Sequence, residues 1–392
     1  MNHYDILVVG AGPVGSTFAR QMAEKGYNVG VLERKKQIGL PLQCAGLLAK
    51  KVKKVNILPD EFIINKVKGA YLHSPSDHIL KVSKEKPEAF VLDRVKYDQY
   101  LAEIAISEGA QIMLQQNVCE VDLKSGRVRT NGGKELSADI IVDAGGHNSV
   151  LSKQLDPKSK KFEAAQYNLK FEGSIFEPEF VNLHVNEYIS PGFIWCIPIS
   201  ENEVRIGLFG RDNYANLSIF LNKFIKSHYN ETNFKIIKKH HGSIPIANFN
   251  KKIIKERSLL LGDAAAQVKP TTGGGLIIGF AAAKMASEAA SNALDNEDLS
   301  LLNQYEIEYH QKYDKELKNQ LRVQKTFEML TNNDLDSMFL KLKEKGADEL
   351  ISEYGDMDDQ YALIKEFIKR GLIFSILPSV LYRRVSEIWK YF

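Results

Sequence analysis

Two glycine-rich segments, separated by most of the chain, contain the residues best suited to bind a phosphorylated ligand. The first, Gly10-Ala11-Gly12-Pro13-Val14-Gly15, directly follows the apolar run 6–9. Its glycines permit a tight turn, a close approach of the backbone to a pyrophosphate, and close packing of helix on strand. Glu33, about 20 residues further on, ends a second apolar run and suits a hydrogen bond to a ribose hydroxyl. We therefore predict a dinucleotide site with these contacts: Gly10, Gly12, Pro13, Gly15 and Glu33.

The second glycine-rich segment indicates which dinucleotide binds. Gly262-Asp263 follows the short apolar run 259–261, and Gly273-Gly274-Gly275 precedes an alanine-rich helix that begins at Leu276. Asp263 can accept hydrogen bonds from the sugar-alcohol chain that joins a flavin to its pyrophosphate. The helix start offers backbone N–H donors and a positive dipole end, which suit N1 and O2 of a flavin ring. Because an NAD enzyme does not need this second pair of motifs, FAD is the predicted cofactor, with these further contacts: Gly262, Asp263, Gly273, Gly274, Gly275 and Leu276.

The composition excludes several classes of protein. The 52 basic and 49 acidic residues nearly cancel, which argues against a nucleic-acid partner. The three cysteines are an odd number without metal-ligand spacing, which is typical of a reducing, cytoplasmic compartment. The first apolar run starts too early to leave room for a signal peptide, and no stretch reaches the roughly 18 apolar residues of a membrane span. No spacing of histidines indicates a metal site, so no metal is predicted.

The order of the segments predicts an α/β fold with several domains. Residues 4–34 have the pattern of a β-α-β unit, residues 160–255 alternate as in an antiparallel sheet, and the chain after 296 is helical and charged. We predict a discontinuous Rossmann-type FAD-binding domain of residues 1–70, 90–155 and 256–295. An antiparallel-sheet substrate or catalytic domain would comprise residues 71–89 and 156–255, followed by a helical C-terminal domain of residues 296–392.

In these motifs the chain resembles flavoproteins of the aromatic-hydroxylase fold group, in which an N-terminal Rossmann unit is followed by a later Gly-Asp segment. Within that group it most resembles the archaeal and photosynthetic geranylgeranyl reductases. Two further segments support this: Pro41-Leu42-Gln43-Cys44-Ala45-Gly46-Leu47 and Gly192-Phe193-Ile194-Trp195-Cys196-Ile197-Pro198. The resemblance implies an FAD-dependent reductase that saturates C=C bonds of geranylgeranyl chains in archaeal-type membrane lipids or their prenyl precursors. It also implies further cofactor contacts: Arg34, Cys44, Ala45, Arg94 and Val118.

The chain departs from the family pattern near the expected substrate. Phe193 stands where the family usually has Tyr, and Ile197 where it usually has Phe. Ile199-Ser200 replaces a glycine that usually follows the proline. A phenol hydroxyl that orients substrate or relays a proton would be lost at position 193. The identity of the prenyl substrate therefore stays open.

Reduction of an isolated C=C bond requires a hydride to one carbon and a proton to the other. Cys44 is the candidate catalytic residue, either as a proton relay or as a residue that shapes the cavity, and burial as a small apolar residue is the alternative. Phe193 and Trp195 share one face of a strand, since they are two residues apart. They are predicted to line a lipid cavity, with ordinary sheet packing as the alternative.

Other functions and partners remain compatible with the sequence. A flavin-dependent aromatic monooxygenase and a carotenoid-type cyclase or isomerase are the alternatives to a reductase. No NAD(P)H motif is visible, so ferredoxin and NAD(P)H both remain candidate electron donors. Residues 371–382 are strongly apolar with basic flanks, and aromatics follow up to residue 392. This pattern predicts either a helix at the inner membrane face, which would make the protein peripheral, or a segment packed on the cavity-bearing domain.

Overall fold

The computed structural model describes residues 2–157, 159–357 and 361–372 of the chain. Its strands are β1 Asn2–Val9, β2 Val29–Leu32, β3 Leu47–Ala49, β4 Ile63–Val67, β5 Gly69–His73, β6 Ile79–Ser83, β7 Ala89–Leu92, β8 Gln111–Met113, β9 Val118–Asp122, β10 Arg127–Thr130, β11 Glu135–Asp143, β12 Lys161–Phe171, β13 Phe180–His184, β14 Ile194–Pro198, β15 Glu203–Gly210, β16 Phe234–Pro245, β17 Ile254–Lys255 and β18 Ser258–Leu260. Its helices are α1 Pro13–Glu24, α2 Val52–Val55, α3 Arg94–Ser107, α4 Val150–Leu155, α5 Tyr214–His228, α6 Leu276–Asp295, α7 Asn303–Phe327, α8 Asn332–Glu344, α9 Ala347–Tyr354 and α10 Tyr361–Lys369.

The first sheet carries both glycine-rich segments. Its strand order is β17-β18-β11-β1-β2-β8, with β10 and β9 attached beside β11. β1 pairs in parallel with both β11 and β2, and β18 joins β11 in parallel. The side chains of Ile6, Leu7 and Val8 are fully buried, because a parallel strand with helices over both faces has no polar side. The predicted β-α-β unit and the strand before Gly262 are both present.

The second sheet has seven strands in the order β16-β12-β15-β14-β13-β5-β6. Its pairings are antiparallel except that β5 runs parallel to β13. β5 and β6 come from a segment far earlier in the chain, so no hairpin fixes their direction relative to β13. Helix α5 covers the sheet and buries Leu217, Leu221 and Ile225, which recur every four residues on one helix face.

The remaining elements connect and extend these two sheets. A small sheet of order β3-β7-β4 follows the segment that contains Cys44. After α6 the described chain is helical, as predicted, and α8 and α9 pack against β6. Among the described residues, none of the helices is both long and apolar enough to cross a bilayer. Residues 373–392, which include most of the predicted interfacial segment, lie outside the described residues.

Candidate active site

The first glycine loop is packed tightly on one side and open on the other. Gly10 has φ of 98°, and a Cβ atom at this position would lie 2.7 Å from the carbonyl oxygen of Ala144. Gly12 precedes α1, and a Cβ atom there would meet no protein atom within 4 Å. No side chain of the described residues caps α1, so its first N–H groups are left for another acceptor. This open side of the loop has the form of an anion cradle.

Glu33 links the end of β2 to this loop. Its side chain is 7% exposed, and Oε2 accepts a hydrogen bond of 2.9 Å from the backbone N–H of Ala11. Oε1 accepts another, of 2.8 Å, from the N–H of Lys35. Each carboxylate oxygen keeps a second lone pair, so a contact to a ribose hydroxyl remains available. The backbone N–H of Gln116 donates to the Glu33 carbonyl, so the segment that leads into Val118 lies beside Glu33. Arg34 is exposed.

The second motif meets the first across the start of α1. A Cβ atom at Gly279 would lie 2.6 Å from Cγ2 of Val14, and one at Gly262 would lie 3.4 Å from the same atom. One Asp263 carboxylate oxygen lies 3.3 Å from the corresponding position at Gly275. The two segments that the sequence analysis paired are therefore neighbours, with the Asp263 carboxylate beside the start of α6, where Gly273 and Gly274 also lie.

Asp263 is exposed to solvent, yet the protein around it affects the charge of its carboxyl group. Desolvation raises the pKa of Asp263 to about 6, and the nearby positive charge of Arg94 opposes that rise. Hydrogen bonds from hydroxyl donors would favour the charged form of this carboxyl group.

A buried hydrogen-bond chain that sequence reasoning missed fixes the Gly-Asp turn. The side-chain oxygen of Gln267 accepts a 2.7 Å bond from the N–H of Gly262, and its Nε2 donates to the Tyr305 hydroxyl at 2.6 Å. Tyr305 in turn donates to the carbonyl of Leu260 at 2.9 Å. Because Tyr305 belongs to α7, no local spacing in the sequence pairs it with the turn.

A second buried chain supports the same turn from the opposite side. Ser152 Oγ donates to the carbonyl of Ala264 at 2.9 Å and accepts from Nζ of Lys251 at 2.8 Å. Asp143, at the end of β11, accepts from the backbone N–H of Ser152 at 3.0 Å. Ser152 and Lys251 have no signal in the sequence, since both lie in segments without a motif.

The segment that contains Cys44 lies between two arginines. Cys44 is half-buried, and its sulfur accepts a 3.3 Å hydrogen bond from the N–H of Gly46. Arg205 Nη1 donates to the carbonyl of Ala45 at 2.7 Å and to that of Leu92 at 3.1 Å. A Cβ atom at Gly46 would lie 3.3 Å from Cγ of Arg94. Arg94 and Arg205 are both buried, and Arg205 is a further residue that the sequence did not point to.

Arg94 is already committed to a carboxylate. Its Nε and Nη2 donate to the two oxygens of Asp98 at 2.9 Å each. Burial opposes its charge, but Asp98 and the neighbouring Cys44 outweigh that effect, so the pKa of Arg94 is raised. The predicted contact between Arg94 and a phosphate therefore stays a prediction, and it would have to use the three N–H donors on Nη1 and Nη2 that Asp98 does not engage.

The aromatic pair of the second sheet faces the Cys44 segment. The rings of Phe193 and Trp195 lie 6.2 Å apart, edge to face. Trp195 Nε1 donates to the side chain of Gln166 at 3.0 Å. Both aromatics belong to one apolar cluster that includes Ala45 and Leu47 at its partly buried edge. Phe193 lies just before β14, so the two residues do not share a strand face as predicted, but their rings do contact each other. Their contact with a lipid stays a prediction.

These residues together fit FAD. The open side of Gly12 and the uncapped start of α1 suit a pyrophosphate, Glu33 suits a ribose, and Asp263 suits the sugar-alcohol chain. The start of α6, at Leu276, also lacks a side-chain cap among the described residues. The fold and the site define a flavoprotein with a Rossmann-type domain and a mixed-sheet domain.

Comparison of the sequence with known proteins identifies the family. Residues 5–372 match the family described as lycopene cyclase protein. The chain is 31% identical to the digeranylgeranylglycerophospholipid reductase of Methanosarcina acetivorans, over 87% of this chain and 89% of that protein. It is 33% identical to an uncharacterized protein of Methanocaldococcus jannaschii, over 97% of this chain and 99% of that protein. The chain belongs to the digeranylgeranylglycerophospholipid reductase family.

Solved structures agree on the fold. A geranylgeranyl bacteriochlorophyll reductase-like protein from Thermoplasma acidophilum superposes with a TM-score of 0.81 at 23% identity, covering 100% of both chains. The myxobacterial halogenase CndH, an FAD-dependent halogenase, superposes with a TM-score of 0.65 at 18% identity, covering 96% of this chain and 98% of that one. The predicted family, the fold class, the class of flavin-dependent oxidoreductase acting on C=C bonds and the cofactor FAD are confirmed. At this level the protein is an FAD-dependent prenyl reductase.

Proposed function

We propose that the protein saturates C=C bonds in the geranylgeranyl chains of archaeal-type membrane lipids or of their prenyl precursors. The observation that carries the proposal is the position of the Cys44 segment. It contacts Arg94 and Arg205, and its neighbours Ala45 and Leu47 border the apolar cluster of Phe193 and Trp195. The thiol segment and the apolar aromatic face are therefore linked to Asp263 through Arg94, whose charge acts on the Asp263 carboxyl group. This combination suits a long hydrocarbon substrate better than a small polar one.

The cofactor would bind across both motifs. Gly12 and the start of α1 would hold the pyrophosphate, and Glu33 the adenosine ribose, with Arg34 and Val118 on the same side. Asp263 would hold the sugar-alcohol chain. The N–H groups at the start of α6 would face the electron-rich edge of the flavin ring.

The chain's own residues would position the alkene and deliver the proton. Bound in its reduced form, FAD supplies the hydride for one alkene carbon. Phe193 and Trp195 would exclude water and orient the prenyl chain. The Cys44 thiol would either donate the proton to the second carbon or shape the cavity around it. Arg205, bonded to the carbonyl of Ala45, would keep the Cys44 segment in place.

Mass spectrometry of prenyl lipids tests this proposal. Protein reduced anaerobically with dithionite is incubated with digeranylgeranylglycerophospholipid, and each saturated bond should add two hydrogens to the lipid. Cys44→Ser, which retains a small polar group, and Cys44→Ala distinguish a proton relay from a shaping role. A proton relay predicts that both variants reduce the lipid more slowly than the wild type does, and that Cys44→Ser is the faster of the two. An unchanged lipid mass after incubation with wild-type protein fully loaded with FAD would contradict the proposal.

A carotenoid-type cyclase is the second candidate, because the chain matches the family described as lycopene cyclase protein. Cyclisation rearranges bonds without adding hydrogen. The same anaerobic incubation, repeated with lycopene, therefore separates the two functions. A product of unchanged mass with altered chromatographic retention would favour the cyclase, and a gain of two hydrogens per bond the reductase.

A further inference from the structure

Three histidines meet at one end of the β5–β13 pair. His73 and His184 are register partners on these parallel strands, so their side chains share a face. Their rings stack with centroids 4.0 Å apart. His228, at the end of α5, places its ring 4.9 Å from that of His184 at a steep angle. Sequence spacing gives no sign of this cluster, since its members come from separate elements.

An aspartate completes the cluster. Asp77 lies in the turn between β5 and β6, and its Oδ1 is 2.6 Å from Nδ1 of His73. One ligand atom from each of His73, Asp77 and His184 lies within 4.8 Å of the other two. Zinc bonds to nitrogen and oxygen are about 2.0–2.2 Å long, so modest side-chain rotations bring all three groups to a common ion.

His184 provides an independent reason to expect a ligand. Its side chain is 7% exposed, and its buried Nε2 has no hydrogen-bond partner among the described residues. A buried polar atom without a partner is unfavourable and uncommon in folded proteins. His73, by contrast, is bonded at both ring nitrogens, to Asp77 and to Asn182 at 2.9 Å. A metal ion would supply the missing partner of His184.

The turn that presents Asp77 is anchored from outside. Asp336, on α8, accepts hydrogen bonds from the N–H of Ser76 at 2.9 Å and from its hydroxyl at 2.8 Å. It also accepts from the hydroxyl of Ser74. Asp77 itself has φ of 62°, a conformation that aspartate tolerates better than most residues. The carboxylate is therefore held beside the histidines by a fixed turn.

We propose that His73, Asp77 and His184 form a binding site for a divalent transition-metal ion of the Zn²⁺ type. Two imidazoles and one carboxylate match the donor preferences of zinc rather than those of Mg²⁺ or Ca²⁺, which take oxygen ligands. The fourth position is completed by water or by His228. The ion would tie the β5–β6 turn to β13, and also to α5 if His228 is the fourth ligand, and so stabilise the outer edge of the second sheet.

Zinc titration of untagged, full-length protein tests the site. After removal of metal with EDTA, isothermal titration should show one Zn²⁺ bound per chain. Asp77→Asn and His184→Ala should weaken binding by more than about tenfold, as loss of a ligand or its support does. His241→Ala is the matched control, because His241 is an exposed histidine on β16, at the opposite edge of the same sheet. It should bind as the wild type does.

If His184→Ala does not fold, thermal unfolding of the other variants still tests the site. Asp77 has an exposed side chain, so Asp77→Asn should fold. Zn²⁺ should raise the Tm of the wild type and of His241→Ala but not that of Asp77→Asn, since a ligand bound by the native state stabilises it. Absence of zinc binding to the wild type, or equal binding by Asp77→Asn, overturns the proposal. FAD content should stay equal in all variants, which separates this test from that of the proposed function.

Discussion

Gly10 and Gly12 are both predicted to contact the cofactor, but the protein itself requires only one of them to be glycine. Gly10 has a positive φ and its missing side chain faces the backbone of Ala144 and Gly145. Gly12 has φ of −68°, which any residue adopts, and open space in front of it. A glycine that the fold does not require suggests a ligand that approaches the backbone there.

Gly12→Val should therefore fold normally and fail to bind FAD, since the new side chain would occupy the space of the pyrophosphate. Flavin absorbance per chain after reconstitution with excess FAD measures the loss. Gly132→Val is a control at an open glycine with no protein atom closer than 3.9 Å to its added Cβ, and it should retain flavin. Full flavin content in Gly12→Val would falsify the placement of the pyrophosphate.

Asp263 gives a pH-dependent prediction at the same scale. Its folded pKa of about 6 lies above that of an unfolded aspartate, about 3.9. The stability contributed by its protonated form is fully present below the unfolded value and is lost as pH rises through the folded value. In the apoprotein, Asp263→Asn should therefore raise the Tm relative to wild type at pH 7.5, and by less at pH 5. An equal difference at both pH values argues that the carboxyl titrates normally.

The residues of the site were predictable where a short motif carries them. Gly12, Glu33 and Asp263 each follow a buried strand at a fixed spacing, and this local pattern has one common use. Arg205 and Gln267 have no such pattern, because their partners lie far away along the chain. Their roles follow only from the tertiary structure.

At the scale of elements, the β-α-β unit was predictable because its period and its glycine turn agree. Helix α5 also has a sequence pattern, because Leu217, Leu221 and Ile225 recur every four residues and are buried. It was not predicted, since it lies within residues 160–255, which were assigned as a whole to an antiparallel sheet. The parallel pairing of β5 with β13 had no signal at all. Strand direction between distant segments depends on the packing of the whole sheet.

The buried support of the Gly-Asp turn can be tested as an element. Gln267→Leu leaves the N–H of Gly262 and the Tyr305 hydroxyl without their partner, and should lower the free energy of unfolding by about 1–3 kcal/mol. FAD affinity should fall as well, because the turn orients Asp263. Urea unfolding of the apoprotein measures the first effect, with Gln37→Leu, at an exposed position, as the control. Unchanged stability in Gln267→Leu would mean that water replaces the lost bonds.

At the scale of the whole molecule, a hydrophobic substrate has to reach the candidate active site, and the sequence predicts a segment that would serve this purpose. Residues 373–392 lie outside the described residues, so the predicted interfacial segment is an expectation from sequence alone. Its apolar stretch with basic flanks is typical of segments that bind the surface of anionic membranes. Digeranylgeranyl lipids are membrane components, and a reductase for them must reach that surface.

A chain that ends at Leu372 should discriminate between the two interpretations of this segment. If it docks on the membrane, the shortened protein should keep its FAD and its activity on a short, soluble prenyl diphosphate while losing most activity on lipid in anionic vesicles. The full-length double variant Arg383→Glu with Arg384→Glu should show the same selective loss. The difference between this variant and the wild type should shrink at high salt, because screening weakens the attraction of the wild-type arginines to anionic vesicles. If the shortened protein loses activity on both substrates equally while retaining flavin, the segment belongs to the catalytic domain. The membrane interpretation would then be wrong, and the substrate would have to reach the candidate active site by another route.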